Sequence, residues 1–172
     1  MFDAELRDEL LARLQRDQQL RLNIPRGRPV PADVLAEWTR VDTENSAFLK
    51  RVVAEHGWPG RDLVGEDGAH AAWLLAQHAG HDLEFQRRCL SLLREAVERG
   101  QATAREYAYL LDRVRVREDR PQVYGTQYRH FPDGGFGPHP VEDPERLDER
   151  RAEAGLEPHA EYDRLMRKHQ PD

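Results

Sequence analysis

One cysteine, Cys89, is all that this chain has to offer oxidative or thiolate chemistry. A lone cysteine excludes an internal disulfide and any metal centre built on several thiolates. Its setting, Cys89-Leu90-Ser91-Leu92-Leu93, is that of a small buried apolar side chain and not of a nucleophile. Long hydrophobic runs are missing too: no segment approaches the roughly 20 apolar residues that a bilayer span requires. The opening Met1-Phe2-Asp3-Ala4-Glu5 lacks the basic stretch and apolar run of an export signal. Both absences predict a cytoplasmic protein with no membrane partner.

An excess of positive charge is also lacking. A net charge of -6 and a pI near 5.8 argue against a sequence-independent grip on phosphate backbones, so no nucleic-acid partner is expected. Arg113, Arg115 and Arg117 alternate with other residues beside acids and read as a solvated surface. There is no glycine-rich phosphate loop, no Gly-x-Ser-x-Gly elbow and no dinucleotide fingerprint, which disfavours the enzyme classes they mark. No cofactor is expected.

What is present is a polar but foldable composition. Charged residues make up 34% and hydrophobic ones 38%, yet three Trp, five Tyr and five Phe are available for a core. At 172 residues the chain is long enough to bury one, and a single domain is the default.

Apolar residues at Phe2, Leu6, Leu10 and Leu14 recur every four positions and predict a first helix over 2–22. Pro25, Gly27, Pro29 and Pro31 cannot continue it and read as an extended connection. A second helix is predicted over 32–56, with Val34, Trp38, Val41, Phe48, Leu49 and Val52 on one face and Gly57 as its stop. A third is predicted over 68–99, either continuous or bent at Gly80. Thr103-Ala104-Arg105-Glu106 has the form of a capping box and opens a fourth over 103–114. Beyond it Val114 and Val116 alternate with arginines, so a short hairpin competes with loop, and Phe131 to Pro140 has a loop composition. Asp143-Pro144 is read as the cap of a helix over 143–154, and a last helix is placed over 159–168. The fold class expected is mainly α, a single-domain helical bundle with a short hairpin or irregular loop region near residues 114–140.

Polar residues interrupt these apolar stripes at positions that the helical period turns inward. On the first helix the spacing beyond Leu14 reaches Asp17, Gln18 and Arg21; on the second, Asn45 falls between Val41 and Phe48 or Leu49. On the third, His78 lies four residues after Leu74 and four before Asp82, with Gln86 a further turn along and Gln77 beside it. An unpaired buried polar group costs about 1–3 kcal/mol, so these groups should meet one another, water or a ligand. A shared polar pocket would satisfy that requirement.

Two readings of His78 and Asp82 stand side by side. A carboxylate next to an imidazole makes an acid/base pair, and the same pair can serve as a purely structural tie. A metal reading is carried by His70, His78, His81 and Asp82, of which His78, His81 and Asp82 are the closest set. The preferred reading leaves the metal out. Asp112-Arg113 can form an ion pair or an anion clamp. Gln122-Val123-Tyr124-Gly125-Thr126-Gln127 places two amides, a phenol and a hydroxyl around a glycine, suited to lining a polar site or to an ordinary turn.

With these residues laid out, the chain resembles a bacterial family known only as a domain of unknown function, DUF6624. The likeness runs through Asp17-Gln18 with Arg21, Asp42 with Asn45, Gly57-Trp58-Pro59, Val64-Gly65, Ala72-Trp73-Leu74 and Gln77-His78-Ala79. It continues through Asp82, Phe85-Gln86, Tyr109-Leu110, Asp112-Arg113, Gln122, Tyr124-Gly125-Thr126-Gln127, Glu142-Asp143, Arg150-Arg151 and Gly155-Leu156. Gly80 stands where members of the family often have Asp, and the resemblance implies no activity.

The functional expectation is a small-molecule enzyme with His78 as general acid or base and Asp82 orienting it. Gln18, Asn45, Gln77, Gln86, Gln122 and Gln127 would hold substrate, Tyr124 and Thr126 would line the loop that closes the pocket, and Arg21 or the Asp112-Arg113 pair would meet an anionic group. Hydrolysis, elimination and isomerisation all fit. The rival is a non-catalytic ligand-binding or protein-interaction module in which the same polar cluster only fixes helix packing.

Overall fold

The computed structural model describes residues 1–22 and 30–169. The connection read at Pro25, Gly27 and Pro29 lies outside them. Among the described residues the chain is mainly α, with seven α-helices and one two-stranded antiparallel sheet. No described helix is long and apolar enough to cross a membrane. Contacts group the residues into two compact units, Met1–Ala102 and Thr103–Asp172.

The first unit holds α1 (Ala4–Leu22), α2 (Ala32–His56), α3 (Arg61–His78) and α4 (Leu83–Glu98). Arg21 meets Asp42 while Arg13 meets Asn45, so α1 and α2 run antiparallel. Arg7 meets Asp67 while Asp17 meets His78, so α1 and α3 run parallel. Leu10, Leu49, Val64, Leu75, Cys89 and Leu93 are fully buried between these helices. Ala69, Ala71, Ala72 and Ala76 are buried with them on α3, and such small side chains let helix backbones approach closely. Burial pushes the Cys89 thiol up to about 12, which makes it inert.

α2 matches its predicted span, and Gly57 ends it at φ 71 with its N–H donating to Val53. The expectation for the third helix needs correction at both ends. α3 starts at Arg61 and not near residue 68, passing a break at Gly65, whose φ of 73 no other residue type adopts cheaply. It then stops at His78, and what was expected as one helix over 68–99 is two. Gly80 is a poor helix former, and the Asp82 carboxylate accepts from the Phe85 N–H to start α4 afresh. Gln86 seals the break: its Nε2 donates to the carbonyls of Ala76 and Gln77 at 3.0 and 3.1 Å, the acceptors a continuing helix would have used.

The second unit holds α5 (Ala104–Arg117), β1 (Tyr128–His130), β2 (Phe136–Pro138), α6 (Leu147–Glu153) and α7 (His159–Lys168). The capping box forms: Glu106 N–H donates to the Thr103 hydroxyl, and Thr103 N–H to the Glu106 carboxylate. α5 continues to Arg117, past the expected end at 114, so Val114 and Val116 are helical. The hairpin lies further on, pairing Tyr128 with Pro138 and His130 with Phe136 across a segment whose composition read as loop. Asp143 does not cap a helix as expected. It stands at φ 44 with no capping bond, and Pro144 opens a 3₁₀ turn, Pro144–Arg146, that leads into α6. α7 matches its predicted span.

Ala108, Ala154 and Leu156 form the apolar centre of this unit, with Ala104, Tyr109 and Tyr124 packed against it. A second buried layer is polar. Arg151, fully buried, donates to the carbonyls of Glu157 and Tyr124 at 2.7 and 2.6 Å and lies 5.0 Å from the Tyr162 ring centre. The Tyr162 hydroxyl donates in turn to the Thr126 carbonyl.

Candidate functional site

The site of the first unit grows from the inward stripe of α1. Three residues past Leu14 the stripe delivers Asp17, which is 1% exposed. A carboxylate so placed must be neutralised and hydrogen-bonded. Gln18 Nε2 donates to it at 3.0 Å and Arg21 Nε at 3.1 Å, and His78 Nδ1 stands 2.9 Å from Oδ2. Arg21 reaches on to Asp42 of α2 at 2.8 Å, and its guanidinium lies 4.6 Å from the centre of the Trp38 ring. Trp38 and Asp42 are one turn apart on α2, so ring and carboxylate face the same arginine.

A turn further into the seam, Arg13 donates to Asn45 at 3.3 Å and sits over Phe48. Asn45 is 5% exposed, and its Nδ2 has no hydrogen-bond partner among the described residues. Gln77, next to His78, is equally buried, and neither of its amide atoms is partnered there.

His78 ends α3, where the helix break leaves its ring at the edge of the packed region. The side chain is 16% exposed, but Nδ1 is buried, so the exposure lies elsewhere on the side chain. The separation from Asp17 is a close ion-pair distance, yet the approach lacks the alignment of a directed hydrogen bond. The short separation defines the contact.

Burial alone would push Asp17 up, but hydrogen bonds and charge from His78 and Arg21 outweigh it and hold the carboxyl below its ordinary range. Asp42 goes the other way: burial raises it, and Arg21 and His78 offset this only in part. The two have opposite consequences for stability. Asp17 holds its proton less tightly folded than unfolded, so its contribution is present above about pH 4 and lost as pH falls through the folded value below that. Asp42 holds its proton more tightly when folded, so its contribution is present below about pH 4 and lost as pH rises through the folded value. We expect Asp17→Asn to flatten the acid limb of the stability curve below about pH 4, measured by urea unfolding from pH 2.5 to 7. An unchanged limb would show that Asp17 is not the group protonated there.

Of the residues singled out in the sequence, the structure brings Gln18, Arg21 and His78 together and sets Asn45 one turn away. The expected pairing of His78 with Asp82 does not form. The four-residue spacing aligns two side chains only within a continuous helix, and the chain leaves the helix at Ala79. Asp82 instead caps α4 and pairs with Lys50 at 2.6 Å, walling a cleft of about 330 Å3 with Glu84, Phe85 and Arg88. The same break removes the geometry of the His78, His81 and Asp82 ligand set; His81 is exposed, and the His70 ring lies tilted beside Trp73. Gln86 spends its amide nitrogen on the α3 carbonyls.

The remaining candidates belong to the second unit, where they bind one another. Asp112, 0% exposed, accepts from the N–H groups of Val123, Tyr124 and Thr126 and from the Thr126 hydroxyl, at 2.7 to 3.0 Å. Gln122 Nε2 donates to the carbonyls of Gln127 and His139 while its Oε1 accepts from Gln127 N–H. The loop is closed on itself by its own amides. Arg113 is half-buried on α5.

Sequence reasoning placed Asp17 inward but missed it as the partner of His78, and reached Asp42 only through the family pattern. A signal existed for both: Asp17 and Arg21 are one turn apart, as are Trp38 and Asp42, and each pair continues the inward face of its helix.

A profile described as a family of unknown function, DUF6624, matches residues 4–170. The chain belongs to this family. No curated protein and no solved structure matches it. The DUF6624 match takes in both units and so includes the Asp17, Asp42 and His78 cluster and the Asp112 loop anchor.

Proposed function

We propose that the chain is a small-molecule enzyme in which His78 transfers a proton and Asp17, in place of the expected Asp82, positions it. The observation that carries this reading is the buried Asp17 carboxylate 2.9 Å from the buried ring nitrogen of a histidine whose side chain is itself partly exposed. A carboxylate behind an imidazole fixes the ring and stabilises the imidazolium formed when the outer nitrogen takes a proton. Arg21, held by two carboxylates and an aromatic ring, braces the carboxylate that braces the histidine. Hydrolysis, elimination and isomerisation share this requirement for a proton shuttle.

One observation favours the non-catalytic reading. Asp17 engages Gln18 and Arg21 as well as His78, and a carboxylate so fully engaged also describes a tie between α1 and α3, which Arg21 extends to α2 through Asp42.

The test compares wild type with His78→Gln, which retains hydrogen-bonding capacity but cannot exchange a proton near neutral pH. Each is incubated with a complete small-metabolite extract and the change in every mass signal is followed. A metabolite consumed by wild type at a rate that falls by about 10²–10⁴ in a folded His78→Gln variant is the expected result. Equal consumption by both, or none by wild type, would leave the binding-module reading in its place.

A further inference from the structure

Asp17, Asp42 and His78 come from three different helices, yet one ligand-capable atom from each lies within 4.8 Å of the others. Four coordination at metal–ligand distances near 2.1 Å needs such atoms about 3.4 Å apart, so the cluster has only a small contraction to make. The buried Nδ1 of His78 already stands 2.9 Å from the Asp17 oxygen, so an imidazole nitrogen and a carboxylate meet at one point. The two carboxylates already share a cation, the Arg21 guanidinium, which lies over the Trp38 ring in that same position. A separate observation comes from Asn45. It is 5% exposed, its oxygen is held by Arg13 in the seam between α1 and α2, its Nδ2 has no partner among the described residues, and the residue stands one turn from Asp42 on α2. Such a donor is what the outer oxygen of a ligating carboxylate, or a metal-bound water, takes as its support.

We infer that Asp17, Asp42 and His78 form a binding site for one divalent transition ion, which enters by displacing the Arg21 guanidinium from between the two carboxylates. Two carboxylates and one imidazole suit zinc, manganese or ferrous iron, and three protein ligands leave positions open for water or substrate. The site uses the same cluster as the proton-transfer reading but not the proton transfer: an ion on Nδ1 withdraws His78 from acid/base work, so occupancy silences that chemistry. Binding needs both carboxylates ionised and therefore weakens at low pH.

The experiment titrates the untagged full chain with zinc in a calorimeter and with manganese by electron paramagnetic resonance. One equivalent of zinc or manganese is expected. Asp42→Asn and His78→Ala should each weaken it on the order of 100-fold, more than an outer-shell loss typically does. Arg21→Ala should tighten it by about tenfold, because it removes the competing charge. Nitrogen-15 shifts of the histidine rings in the wild-type chain give a second readout that does not depend on the variants folding, and zinc should perturb His78 at Nδ1. Absence of binding by either ion, undiminished binding in Asp42→Asn or His78→Ala, an Arg21→Ala variant no tighter than wild type, or perturbation of His70 or His81 instead would each overturn the site. Repeating the metabolite comparison on chelator-treated protein keeps the two proposals apart. A His78-dependent reaction that persists there supports proton transfer and says nothing for the metal, which the titrations decide.

Discussion

Asp112→Ala is expected to lower stability by about 3–4 kcal/mol, the largest effect on folding of any single substitution in the second unit. The carboxylate is 0% exposed and takes four donors from one short loop, three of them backbone N–H groups that have nowhere else to turn. Removing it leaves buried donors unpaired, and each such group costs about 1–3 kcal/mol unless water reaches it. Burial raises the Asp112 pKa despite those four donors, so charge is not its main contribution. Asp112→Asn should accordingly recover part of the loss, since the amide oxygen still accepts while its nitrogen now opposes a donor. Thermal unfolding of the three proteins checks the order wild type, Asn, Ala. An Ala variant within about 0.5 kcal/mol of wild type would mean that the loop is held by other contacts.

The second large effect belongs to the proton transfer we propose for His78. There Asp17→Asn should lower kcat by roughly 10²–10⁴ with KM little changed, because a positioning carboxylate acts on the transition state through the histidine and not on substrate. The amide keeps the size of Asp17 and can still accept from Arg21 and Gln18, so the helices stay in register. A merely structural tie would show itself as a lower melting temperature with normal kcat in the folded fraction. A variant with wild-type kcat would remove Asp17 from the mechanism.

What the sequence could reveal followed from whether the signal was local. The spans of α2 and α7 and the Thr103 capping box were legible because periodicity, a stop glycine and a reciprocal cap all act within a few residues. The break between α3 and α4 was half legible. Gly80 marked a possible bend, but the agent that finishes α3 is the Gln86 side chain folding back on Ala76 and Gln77, and no period announces that. That one misreading paired His78 with Asp82, four residues away along a helix that does not exist there. The true partner, Asp17, comes from another helix, and only the placement of α1 beside α3 reveals it. In the same way the amides of Gln122 and Gln127 looked like substrate contacts in the sequence because a residue type shows its capacity for hydrogen bonding but not who has already used it.

The two polar cores differ in how far along the chain their partners lie. Asp112 closes on residues 11 to 14 positions away, whereas Asp17 and His78 are roughly sixty apart. Bringing the ends of the longer loop together costs about 1.4 kcal/mol more in chain entropy, before any contact repays it. During refolding the loop anchored by Asp112 can therefore form early from local encounters, while the Asp17 and His78 contact must wait until α1 and α3 have found each other. Whatever chemistry the cluster performs is then among the last properties of a newly made chain to appear, and among the first to be lost when α1 frays from the bundle.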